Sequence, residues 1–87
     1  MSALLASPQE GELVLVRVHV ASRNLEDALE SLAALPFPVN PELAHAGLDS
    51  TIEFPAYEGQ LGAVREALDG FSAELRTVSM FAAIHGE

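Results

Sequence analysis

The stretch LVLVRVHV, residues 13–20, constrains the fold more than any other part of the chain. Val14, Val16, Val18 and Val20 alternate with Leu13, Leu15, Arg17 and His19. Successive side chains of a strand point to opposite faces, so a period of two puts all four valines on one side. β-branched residues also suit a pleated surface better than a helix. Residues 12–20 therefore read as a strand whose valine face is core. The other face is half apolar and half charged, and what it meets is the main question the sequence raises.

The segment SRNLEDALESLAAL follows. Leu25, Ala28, Leu29, Leu32 and Leu35 recur at helical spacing, with Glu26, Asp27 and Glu30 opposite them. Asn24 fits the N-cap, Asp27 complements the helix N-terminus, and Pro36 ends the helix. Prolines at 36, 38 and 41 exclude helix over the next stretch. Beyond them the pattern predicts a strand at 42–46, a turn at GLDS with Gly47 in the loop, and a strand at 51–57. In the latter, Ile52, Phe54 and Ala56 share one face and Thr51, Glu53, Pro55 and Tyr57 the other. GQLGAVREALDGF is a second helix with a stripe of Leu61, Val64, Leu68 and Phe71, and Gly70 is placed just past its end. AELRTVSMFAAI is a final strand. Val78, Met80, Ala82 and Ile84 are assigned to one face, and Leu75, Thr77, Ser79, Phe81 and Ala83 to the other.

The order β-α-β-β-α-β predicts an α+β, ferredoxin-like βαββαβ fold. Its four-stranded antiparallel sheet has strand order 4-1-3-2 and carries both helices on one face. Residues 12–84 form this single domain, residues 1–11 a flexible leader and residues 85–87 a tail. The helices are expected to cover Val14, Val16, Val18, Val20, Ile52, Phe54, Val78, Met80 and Ile84. Pro55 conflicts with a place in an inner strand unless it lies near the end of the pairing or at a bulge. The uncovered face would present Leu13, Leu15, Leu75, Phe81, Ala83 and Tyr57, beside Arg17, His19, Thr77, Ser79 and Glu53. Contiguous apolar patches of this kind usually mark an interface. Leu13, Leu15, Leu75 and Phe81 are accordingly the expected contacts of a homodimer formed through the open sheet face.

Charge narrows the partners. The formal net charge is -9, from thirteen acids against Arg17, Arg23, Arg65 and Arg76 alone. Such a chain repels a phosphate backbone and an anionic bilayer, so neither nucleic acid nor membrane is an expected partner. The N-terminal stretch lacks the basic region of a signal peptide, and no segment has membrane-spanning length, which predicts a cytoplasmic protein. With no cysteine and no lysine, disulfides, thiolate catalysis and Schiff-base chemistry are excluded.

Candidate binding residues fall in two places. Arg17 and His19 share a sheet face with Glu53, and the trio is either a cross-strand ion pair beside a histidine or an anchor for a ligand carboxylate. Ser22, Arg23 and Asn24 join the first strand to the first helix, where free backbone N–H groups favour an anion. Arg17, His19, Ser22, Arg23 and Asn24 are therefore the candidate ligand-binding set. His19, His45 and His85 have no metal-site spacing. No serine can be placed beside a histidine–carboxylate pair. No catalytic residue, metal or cofactor is assigned.

The element order, the length and the valine-rich first strand together resemble an ACT-type regulatory domain over residues 12–84. The resemblance implies binding of a small effector, often an amino acid, at the loop after the first strand and at a domain–domain interface. The matching positions here are Ala21, Ser22, Arg23 and Asn24. The expected function is a non-enzymatic, homodimeric module that binds a small, amino-acid-like metabolite for regulation. Two other classes stay open. One is a small dimeric α+β barrel enzyme or ligand carrier with His19 as base and Arg17 as anchor; the other is a structural or partner-binding subunit.

Overall fold

The computed structural model describes residues 11–80 of the chain. Strand β1 (Leu13–Ala21) is followed by a single 3-10 turn at Ser22–Asn24 and helix α1 (Leu25–Ala33). Strands β2 (Glu42–Ala46) and β3 (Asp49–Tyr57) form a hairpin. A 3-10 turn at Glu58–Gln60 leads into α2 (Leu61–Ala67), and another at Asp69–Phe71 leads to β4 (Glu74–Ser79). The four strands make one antiparallel sheet in the order β2-β3-β1-β4, which read from the opposite edge is 4-1-3-2.

The valine row of β1 forms the centre of the core. Val16 and Val18 are fully buried, and Val14 and Val20 nearly so. Directly paired residues of neighbouring strands share a face. Ala56, Phe54 and Ile52 stand opposite Val14, Val16 and Val18 and are buried with them. Ala28 and Leu32 of α1 and Val64 of α2 join the same cluster, so both helices cover one face of the sheet. Leu25, Leu29 and Leu61 pack at its margin, as do Phe37 and Val39 of the proline-rich connection.

The hairpin needs only Gly47 and Leu48 between Ala46 and Asp49. Gly47 has φ +66° and Leu48 is not in the left-handed region, a pattern that fits a type II′ turn with glycine first. Leu48 is left 88% exposed at its tip.

Pro55 does lie in an inner strand, opposite Leu15. Ser22 donates to the Leu48 carbonyl at 2.8 Å and Glu58 to the Glu12 carbonyl at 2.9 Å, so the even positions of β1 are those bonded to β3. Pro55 is out of phase with them, and its missing N–H faces the β2 side. There the pairing ends at Glu42–Glu53, so no ladder bond is lost.

Two sequence expectations are corrected. The first concerns the phase of β4. Leu75, Thr77 and Ser79 stand opposite Val18, Val16 and Val14, which places them on the helix side. Leu75, expected as an interface residue of the open face, instead packs against the core. Val78, expected under the helices, stands opposite Leu15 on the open face. The strand ends at Ser79, so Met80 is not part of it. Phe81, Ala82, Ala83, Ile84 and the tail at 85–87 lie outside the described residues, as do residues 1–10 of the expected leader.

The second correction concerns helix ends. Asn24 occupies the N-cap position of α1 but makes no capping hydrogen bond through its side chain. Gly70 does not terminate α2 in a left-handed conformation; that position is taken by Ser72, with φ 53°. The 3-10 turn between Leu68 and Ser72 postpones the reversal by two residues.

Candidate functional site

The register turns the open face into a grid. Its middle row reads Glu42, Glu53, Arg17, Arg76 from β2 to β4. One row toward the end of β1, Ala44, Thr51, His19 and Glu74 line up. In the other direction come Pro55, Leu15 and Val78, and then Tyr57 and Leu13. Leu13 and Tyr57 are 37% and 39% exposed. One end of the face is thus apolar, the middle is charged, and the other end leads to the β1–α1 junction.

Arg17 and Glu53 are directly paired, and the Arg17 Nε donates to Glu53 Oε2 at 2.5 Å. Both side chains keep about a third of their surface in water, 39% and 33%, so this is a half-buried pair. The neighbouring Arg76 bonds Glu74 at 3.3 Å on its own strand, and that pair is exposed. His19 shares a hydrogen bond of 3.2 Å between its Nδ1 and the Thr51 hydroxyl opposite it.

A cleft of about 550 Å³ opens where β1 passes into α1 and the 70–72 turn approaches β4. His19, Arg23 and Asn24 line it, and across from the junction Phe71, Ser72 and Glu74 complete it with Asp49. Three of the five sequence-derived binding residues therefore meet in one place. Arg17 and Ser22 do not line this cleft. Arg17 is held by Glu53 one row away. Ser22 turns toward the hairpin, where its hydroxyl bonds Ser50 at 2.8 Å.

That hydroxyl pair continues to His45, whose Nδ1 lies 2.9 Å from Ser50 Oγ. Ser50 is a buried polar residue on the helix side of β3, and Ser22 and His45 together satisfy it. The network ties the β1–α1 junction to the hairpin, and the Ser22 N–H bond to Leu48 reinforces the tie. Through Ser22 it fixes one end of the 22–24 turn, whose Arg23 and Asn24 line the cleft. This serine–histidine contact escaped the sequence reading because it depends on the β2–β3 register, which sets His45 directly opposite Ser50.

The cleft residues Asp49, Gly70, Phe71 and Ser72 were also missed. They come from the start of β3 and from the 3-10 turn after α2, far in sequence from the β1–α1 loop. Ser72 ends the turn in the left-handed region, at a cost of about 1–2 kcal/mol that glycine would avoid. Arg23 makes no ion pair with a described residue, and Asn24 has no capping role, so both polar groups are available.

Among the described residues no group of three or more histidines, aspartates and glutamates lies close enough to hold a metal ion. No described helix is long and apolar enough to cross a membrane. No protein-family model matches the chain, and no curated protein is significantly similar to it.

Proposed function

We propose that the protein is a non-enzymatic, ACT-like regulatory module of ferredoxin-like architecture that binds a small, amino-acid-like metabolite in the cleft beside the β1–α1 junction. The βαββαβ order and the antiparallel sheet with two helices on one side support the architectural part. The observation that carries the functional part is the cleft's mixed polarity. Arg23 offers a cation that makes no ion pair with a described residue, while Asp49 and Glu74 offer carboxylates within the same 550 Å³. A zwitterion needs both: an arginine for its carboxylate and an acid for its ammonium. Asn24 adds a donor and an acceptor, and Phe71 an apolar wall for a side chain.

A thermal-shift panel of the standard amino acids at millimolar concentration tests the reading. A ligand at ten times its Kd stabilises by about 1.4 kcal/mol, which is roughly 6–11 °C for a domain of this size. At least one member should raise the midpoint by several degrees, and Arg23→Ala should remove that shift while leaving the unliganded midpoint within about 2–4 °C, as expected for an exposed side chain. A flat response of the wild-type protein across the panel would overturn the proposal.

A further inference from the structure

The middle row of the open face has an unusual order. From one edge of the sheet to the other it runs acid, acid, base, base: Glu42, Glu53, Arg17, Arg76. Within one molecule this places like charges directly opposite each other twice, at Glu42–Glu53 and at Arg17–Arg76. Such pairs disfavour the sheet they sit in. The same order is self-complementary when it meets its own reverse.

We infer that two copies of this chain stack their open sheet faces about a two-fold axis that lies between the sheets and runs along the strands. That rotation exchanges the two edges of the sheet and keeps each row level with itself. Glu42 of one copy then faces Arg76 of the other, and Glu53 faces Arg17. At the centre, the Arg17–Glu53 pair of each copy lies over the same pair reversed, so each of these four charges has an opposite charge both beside and above it. A two-fold axis across the strands does the reverse. It sets acid on acid and arginine on arginine along the whole row, so the charges select one axis over the other.

The remaining rows agree with this arrangement. Leu15, Pro55 and Val78 meet their own row, as do Leu13 and Tyr57, so apolar surface covers apolar surface. His19 faces Thr51, and Glu74 faces the small Ala44. Strand lengths and spacing give the two faces a combined area of roughly 1,000 Å², at the lower limit for a specific interface. The dimer is therefore expected to dissociate in the micromolar range.

Sedimentation equilibrium of the full chain from about 1 to 200 μM, with single charge reversals, decides the matter. Wild type should pass from monomer to dimer across that range. Arg17→Glu alone and Glu53→Arg alone should each be monomeric, because each places like charges face to face twice. An equimolar mixture of the two variants should dimerise, because every facing pair in the mixed species is again opposite. Circular dichroism establishes that each variant is folded. If either central variant fails to fold, Arg76→Glu and Glu42→Arg form the same test with exposed side chains. Overturning results are a wild type monomeric at 200 μM, a single variant that dimerises as well as wild type, or folded variants whose mixture stays monomeric.

Discussion

The two faces of β1 are built from one strand and obey different physics. On the helix side, Val14, Val16, Val18 and Val20 are between 0% and 6% exposed and belong to one apolar cluster with residues of β3 and the helices. On the open side, Leu13, Leu15, Arg17, His19 and Ala21 all keep part of their surface in water. Burial dictates the first face, because any polar atom there would lose its water without a partner. Register dictates the second, because its pattern of charges exists only once four strands are aligned. The helix side makes the fold, and the open side carries the charge pattern from which the dimer is proposed.

The largest test of that contrast compares deletions on the two sides. Phe54 is 1% exposed at the centre of the closed face. Phe54→Ala should cost about 3–5 kcal/mol, from lost transfer energy and the cavity left behind. Leu15→Ala on the open face of the same sheet should cost less than about 1 kcal/mol in dilute, monomeric protein. Urea unfolding of both variants at low micromolar concentration gives the two values. Similar losses would mean that the open face is already covered in the monomer, and the contrast between the faces would fail.

The same contrast explains what could be read in the sequence. The β1 valines, Ile52 and Phe54 were legible because burial forces a clean period of two. The β4 segment ELRTVS was misread because both of its faces carry apolar residues, and Val78 followed by Met80, Ala82 and Ile84 suggested a core row. The charges held the correct answer. Placing Val78 under the helices would also put Glu74 and Arg76 there, where burial of a charge is costly. The cleft was half legible. His19, Arg23 and Asn24 follow from the strand–helix junction, whereas Asp49 and the 70–72 turn reach it only through tertiary register. Gly70 looked like the helix terminator from its residue type, yet the chain reverses at Ser72 after a further 3-10 turn.

A smaller effect is expected where the two faces are joined at the hairpin. The Ser50 hydroxyl contacts both Ser22 and His45 while being almost wholly buried. Ser50→Ala removes two hydrogen bonds, but Ser22 is only half-buried and His45 is exposed, so both can turn to water. The expected cost is about 1 kcal/mol, in urea unfolding. The same substitution should weaken the ligand binding proposed for the cleft, because Ser22 anchors the turn that carries Arg23 and Asn24. Lost stability with unchanged affinity would assign the network to the fold alone.

The smallest effect, and the one that most sharpens the contrast, belongs to Arg17 and Glu53. A double-mutant cycle with Arg17→Gln and Glu53→Gln in monomeric protein should give a coupling of about 0.5–1 kcal/mol, as for a cross-strand pair still in contact with water. At 1 M salt the screening length falls to about 3 Å, and the coupling should shrink further. A coupling above about 2 kcal/mol would make this pair part of the folding machinery, and the open face would then resemble the closed one. A small coupling means that the pair adds little to the isolated chain. Its two neighbouring like-charge pairings, Glu42–Glu53 and Arg17–Arg76, then stand as an unfavourable feature of the monomer that the Arg17–Glu53 and Arg76–Glu74 ion pairs offset only in part. Repeating the cycle at 200 μM separates the two cases: if the row is made for a second copy, the coupling should grow with concentration, because each charge gains a second opposite neighbour only in the dimer.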